Sequence, residues 1–177
     1  MTTTITIRQE QPEDYIQVHE LNILAFDQYY EAKLVEALRK NDQVFIPELS
    51  MVATKDNEVV GYILFTKILI ADISNNTFES LSLAPIAILP QYQKKGIGTE
   101  LIKQGLLKAR EMGFTSVIVL GHEQFYPRFG FLPASKWNIK PPFDVPSNAF
   151  MALELMEDGL KNVSGIVQYP KEFEPAD

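Results

Sequence analysis

Ala84-Pro85-Ile86-Ala87-Ile88-Leu89-Pro90-Gln91-Tyr92-Gln93-Lys94-Lys95-Gly96-Ile97-Gly98-Thr99-Glu100-Leu101 holds the end of a strand, a loop and the start of a helix. The strand runs from Phe78 to Leu89 and is nearly all apolar, as a strand buried on both faces is. Pro85 inside it has no N–H for a ladder, so the strand is predicted to bulge or splay there, leaving backbone groups near Ile86 and Ile88 free for a ligand. An ordinary edge strand is the simpler alternative. At the other end, Gly96 and Gly98 stand where loop becomes helix, so the first turn can offer its unpaired N–H groups to an anion with no Cβ in the way. Lys94 and Lys95 add local positive charge to that of the helix N-terminus. A lone Gly-x-Gly can equally be a tight turn that lets a helix pack closely.

Downstream, the spacing predicts a helix over 97–112, with Ile97, Leu101, Gly105 and Ala109 on one face beside Ile102 and Leu106, stopped by Gly113. Thr115 to Leu120 follows as a buried strand, parallel to the first across a right-handed crossover. Gln124 to Phe129 reads as a short helical turn. Phe150 to Leu155 and Ile166 to Tyr169 read as further strands, beyond a loop marked by Pro133, Pro141, Pro142 and Pro146.

Upstream, Thr4 to Arg8 alternates as a half-buried strand, and Pro12-Glu13-Asp14 opens a helix continued by Tyr15, Val18, Leu21, Ile23 and Phe26. A second helix is expected over 31–40, with Leu34, Val35 and Leu38 on one face. Met51 to Thr54 and Val59 to Ile70, separated by Asp56-Asn57-Glu58, read as a hairpin. The whole is one α/β sheet domain over 1–170 with an acidic, frayed tail over 171–177.

Composition narrows the function. The chain has 177 residues, 46% of them apolar, enough for one substantial core. A net charge of −7 opposes binding to nucleic acid or to an anionic membrane and suits a cationic or amine substrate. The absence of cysteine excludes a disulfide framework and a thiolate nucleophile. With only His19 and His122, a histidine-rich metal site is not expected. Met1-Thr2-Thr3-Thr4-Ile5 lacks a basic stretch and a long apolar run, and no segment approaches roughly 18 unbroken apolar residues, so a cytoplasmic protein is expected. The oligomeric state stays open, a homodimer included.

Two common nucleotide loops do not fit. The Walker pattern requires Lys and Ser or Thr directly after its second glycine, and the dinucleotide fingerprint requires a small residue where Leu101 stands. The stretch from Ala84 to Leu101, with Gln93-Lys94-Lys95-Gly96-Ile97-Gly98 at its core, instead resembles the acetyl-CoA motif Q/R-x-x-G-x-G/A of the GNAT superfamily. The order of elements from Thr4 to Phe131 matches that family too, and Asn148 to Leu155 with Gly165 to Tyr169 resembles a subgroup of small bacterial N-acetyltransferases. The resemblance implies an α+β fold, with a central mixed, mostly antiparallel sheet of about six to seven strands, a parallel splayed pair, and about four flanking helices. It also implies acetyl-CoA as acetyl donor, with contacts at Ile86, Ala87 and Ile88 and at Gln93, Lys94, Lys95, Gly96, Ile97, Gly98 and Thr99.

Tyr126-Pro127-Arg128-Phe129-Gly130-Phe131 resembles the family's Y-x-x-x-G-F segment, whose tyrosine lies near the CoA sulfur. Tyr126 is thus the candidate to protonate the leaving thiolate or hold it by a hydrogen bond, or else a packing residue among Phe125, Phe129 and Phe131. Many relatives carry an Asn shortly before this tyrosine, whereas Val119 to Phe125 here reads V-L-G-H-E-Q-F. His122 there is a candidate base or polar contact, with a structural role as the alternative. Glu79, early in the bulged strand, is the candidate general base, a water chain being the other route.

These expectations amount to an N-acetyltransferase that passes acetyl directly to a primary amine in a ternary complex, or alternatively to a non-catalytic acyl-CoA sensor. The acceptor is a small-molecule or peptide amine, chosen by segments 26–46 and 136–148.

Overall fold

The computed structural model describes residues 4–175. Residues 1–3 and 176–177 lie outside it, and with them most of the Met1 to Ile5 stretch and the end of the acidic tail. In chain order the elements are β1 (Thr6–Gln9), α1 (Tyr15–Phe26), α2 (Tyr30–Arg39), β2 (Phe45–Lys55), β3 (Glu58–Ala71), β4 (Thr77–Ile88), α3 (Ile97–Glu111), β5 (Ser116–Leu120), β6 (Leu132–Pro133), β7 (Ile139–Lys140), β8 (Phe150–Glu154) and β9 (Gly165–Gln168). The strands form one sheet in the order β1-β2-β3-β4-β5-β8-β6, with β9 bonded to β3 and β7. Pairing is antiparallel except for β4 with β5 and β7 with β9.

The nine strands among the described residues exceed the expected six to seven because β6 and β7 are two-residue pairings, too short to leave a period in the sequence. Among the described residues there are three α-helices instead of about four. The turn expected over 124–129 is a 3₁₀ turn, Tyr126–Phe129. β2 starts at Phe45, ahead of the expected Met51, and Pro47 hides the start. Phe45 pairs with Thr66, and pairing resumes only at Ser50 with Leu64, so Pro47 lies in the irregular stretch between, where its missing N–H costs no ladder bond.

β3 is buried along almost its whole length because both its faces are covered. An added Cβ at Gly61 would meet Leu101 and Ile97 of α3, and Phe65 packs against Gly105 of the same helix. On the opposite face the Tyr62 hydroxyl shares a 2.7 Å hydrogen bond with Ser50, whose Oγ donates to Glu10. Glu10 in turn accepts from Arg39 of α2, whose guanidinium lies over the Tyr15 ring of α1. Leu34, Val35 and Leu38 bury the expected face of α2. α3 ends in the pattern predicted for it: the Gly113 N–H, at φ 93°, bonds to the Arg110 carbonyl and the Phe114 N–H to that of Ala109.

The tail departs from expectation. Lys171–Phe173 forms a 3₁₀ turn packed on the domain: Tyr30 donates to the Phe173 carbonyl, Asn41 donates to Glu172, and the Phe173 ring joins the main core.

Candidate active site

β4 and β5 run side by side only at Leu81 with Val117 and Ser82 with Ile118. Ser80 and Ser116, bonded Oγ to Oγ at 2.7 Å in the interior, close the lower end of the pair. Beyond Ser82 the strands part. β4 stays on β3 as far as Ile88, while β5 follows β8 to the Leu120 and Phe150 pair. The splay begins at the bulge: Ile63 pairs with Ile86 and Phe65 with Leu83, so Ala84 and Pro85 together oppose Leu64. From Leu83 to Ile88 the β5-facing edge of β4 has no strand partner among the described residues.

At the upper end of this opening lies the glycine loop. Gln93 is extended and its side chain donates to the Ile88 carbonyl at 3.1 Å, pinning the loop to β4. Lys94 and Gly96 take positive φ of 62° and 86°, and the first helical bond runs from the Glu100 N–H to the Gly96 carbonyl. No side chain caps α3. The amides of residues 94–99 therefore have no backbone acceptor among the described residues, a run of donors suited to a diphosphate. An added Cβ at Gly98 would find nothing closer than Ile86 and Ile88 at 3.9 Å. That glycine thus leaves space over the β4 edge instead of relieving a clash. Lys55 and Lys95 bracket the Tyr92 ring, their Nζ atoms 5.3 and 5.5 Å from its centroid, so cations gather here in an otherwise acidic chain. Lys55, remote in sequence, carried no signal of this role.

At the lower end Tyr126 is buried and packs edge-on against Phe125 and Phe131, with ring centroids 5.2 and 5.6 Å away. Gly121 makes room for it, since a Cβ there would fall 2.3 Å from Tyr126 Cε2. The ring lines a cavity of about 260 Å³ between Leu83, Ala84, Pro85 and Ile86 on one side and Leu120 on the other, roofed by α1, α2 and Phe173. Burial pushes the phenol up to about 12. Tyr126 is therefore protonated at any physiological pH.

The candidate bases are not brought to this cavity. Glu79 is exposed beside Lys67 and Gln168 in a separate recess, seven residues before Ile86 and so roughly 20 Å along the strand. His122 is exposed in a third recess with Glu123 and Asn148, while its backbone carbonyl holds the turn that carries Tyr126. The acidic residue that does line the Tyr126 cavity is Glu31 of α2, whose carboxylate accepts from Gln28 at 2.8 Å. Sequence reading missed it because α2 reaches the cavity only through tertiary packing. A larger recess of about 560 Å³ lies between α1 and α2, lined by Glu20 and Glu36 as well as Arg39 and Lys40, and among the described residues it has no run of unpartnered main-chain amides such as that of 94–99. Among the described residues no group of three or more His, Asp or Glu is placed to hold a metal ion, and no helix is long and apolar enough to cross a membrane.

The family model for the acetyltransferase (GNAT) family matches residues 10–131. The uncharacterized N-acetyltransferase YhbS of Escherichia coli K12 is 32% identical over 168 residues, covering 94% of this chain and 97% of its own. The crystal structure of E. coli YhbS in complex with CoA matches with a TM-score of 0.88 at 30% identity, over 98% of this chain and 93% of that one. A GNAT family acetyltransferase from Brucella melitensis in complex with acetyl-CoA gives a TM-score of 0.77 at 28% identity, over 98% and 100%. With its splayed β4 and β5, its uncapped glycine loop and these relatives, the chain belongs to the acetyltransferase (GNAT) family.

Proposed function

We propose that the protein transfers the acetyl group of acetyl-CoA directly to a primary amine in a ternary complex, with the opening between β4 and β5 as the reaction site. The observation that carries this reading is that two features border the stretch of β4 left without a strand partner. The unpartnered amides of 94–99 lie at one end, with Gly98 over the Ile86 and Ile88 side chains, and the cavity lined by Tyr126 lies against Leu83 to Ile86. A diphosphate fits the first end and a thioester the second, and relatives of similar fold hold CoA or acetyl-CoA.

Acetyl-CoA supplies an activated acetyl group on sulfur. The N–H groups of the free β4 edge near Ile86 polarise its carbonyl and stabilise the negative charge that develops on oxygen. The amine nitrogen bonds to the carbonyl carbon as the carbon–sulfur bond breaks. The electron pair leaves on sulfur, and the proton lost by nitrogen passes to solvent and ultimately to the thiolate. A thiol titrates near about 8.5, well below the buried phenol, so Tyr126 stabilises the departing thiolate through a hydrogen bond instead of surrendering its proton outright. Glu31, in the same cavity, receives the incoming ammonium as a counter-charge and can relay its proton.

Initial rates measured over a grid of acetyl-CoA and amine concentrations, reading free thiol, test this. Direct transfer gives intersecting reciprocal plots. Parallel plots would mean an acetylated enzyme, and absence of thiol release across a broad amine panel would mean a binding module.

A further inference from the structure

A second cavity, of about 280 Å³, adjoins the first and shares Leu83, Ala84, Leu120, Tyr30 and Phe173 with it. Its remaining lining is Ser82, Phe143 and Tyr169. Four aromatic rings from three separate segments, Tyr30, Phe143 and the Tyr169 to Phe173 stretch, thus meet at the point where β4 leaves β5. Phe143 stacks on Tyr169 with centroids 6.0 Å apart, and Tyr169 tilts against Phe173 at 5.1 Å. The wall is fixed in place, because Tyr30 donates to the Phe173 carbonyl and Asn41 of the α2–β2 connection holds Glu172. Phe143 and Tyr30 nevertheless keep 43% and 36% of their surface exposed, so ring faces remain open to an entering molecule.

We infer that this aromatic chamber binds the body of the acceptor and that the acceptor is a small arylalkyl primary amine. The inference rests on the acetyl-transfer reading, and three features select the class. The chamber is at the small end of ligand cavities, which excludes a folded protein surface. Its polar groups are few, Ser82 and two tyrosine hydroxyls, of which that of Tyr30 is already engaged. An aminosugar would leave several hydroxyls unpaired there. Across both cavities Glu31 is the one acidic lining residue among those described, enough for the reacting ammonium and not for the second and third charges of a polyamine. Aromatic walls favour an aromatic or apolar body by area and by ring-to-ring geometry. With its ring among Phe143, Tyr169 and Phe173, a two-carbon arm would carry the nitrogen toward Ala84, at the start of the splay.

The test uses the full chain with acetyl-CoA and 2-phenylethylamine, ethylamine, spermidine, glucosamine and an alanyl tetrapeptide, reading free thiol. In parallel, calorimetry measures 2-phenylethylamine binding to the protein saturated with CoA. The expected result is a kcat/KM for 2-phenylethylamine at least about tenfold above every other amine, saturable binding to the CoA complex, and a roughly tenfold smaller preference over ethylamine in Phe143→Ala. Phe143 is half exposed in a loop, so that variant is expected to fold; Phe173→Ala provides the same reading from a second ring of the lining. Faster turnover of spermidine, glucosamine or the peptide would overturn the chamber and leave acetyl transfer standing. Binding without acetylation would uphold the chamber and defeat the transfer reading. Neither binding nor turnover of 2-phenylethylamine would overturn the chamber.

Discussion

At the Gly96 end of the opening the unpartnered groups are main-chain amides of six consecutive residues, whereas at the Tyr126 end the cavity is lined by side chains gathered from α2, β4, β5 and segments far along the chain. On the proposed reading, the difference follows from what each end must recognise. A diphosphate is a diffuse anion satisfied by any row of N–H donors, so the loop needs only backbone shape and small residues. An amine and a leaving sulfur need particular donors and walls at particular places, which only side chains provide. The first end should therefore tolerate truncation and fail on filling, and the second should do the reverse.

The largest expected effect comes from filling the amide end. Gly98→Trp projects an indole over Ile86 and Ile88, where the glycine leaves open space, and should weaken acetyl-CoA binding by about 10²-fold or more, roughly 2.7 kcal/mol, with little change in melting temperature. Calorimetry on the folded variant reads it; parent-like affinity would break the comparison at its first term. Next comes truncation at the other end. Tyr126→Phe removes one hydrogen bond to a developing charge, worth about 1.5–3 kcal/mol, so kcat should fall about 10- to 100-fold while the acetyl-CoA dissociation constant stays within about twofold. An unchanged kcat on an accepted amine would make Tyr126 a packing residue alone.

The same tyrosine gives a pH prediction. Its folded pKa lies above the unfolded value of 10.0, so the stabilisation from keeping it neutral is complete below pH 10 and is lost as pH rises toward about 12. Tyr62 and Tyr169 are raised by burial in the same direction. Melting temperature should fall over that window, and Tyr126→Phe should fall less steeply than the parent; equal slopes would contradict the buried phenol. The smallest effect sharpens the comparison from the amide end. Lys95→Ala removes a solvated charge and should weaken acetyl-CoA binding only about two- to fivefold at low salt, and less as salt screens the site.

What was readable beforehand divides along the same line. Pro85 announced the bulge, and Gly96 and Gly98 the open helix start, because both are backbone properties set by one residue and its neighbours. The buried face of α3 was likewise readable, since Ile97, Leu101, Gly105 and Ala109 repeat along a single helix. Glu79 was the candidate base because it stands in the decisive strand, yet strand rise carries it away from the splay, while Glu31, which carried no signal of its own, lines the cavity from α2. Phe173 sat in a stretch whose acidic composition predicted fraying, and one aromatic ring with two hydrogen bonds from the α2 region outweighed that composition. Gly121 gave no motif, because its purpose is room for a ring five residues later.

The central claim, that the unpartnered amides at the start of α3 receive the diphosphate of acetyl-CoA, is open to one direct measurement. Backbone ¹H–¹⁵N spectra of the labelled protein, titrated with CoA, should show their largest shifts at the amides of residues 94–99, with slowed hydrogen exchange there and smaller changes along Ile86 to Ile88. Shifts centred instead on the recess between α1 and α2, at Tyr15 and His19, with residues 94–99 unmoved, would contradict the account.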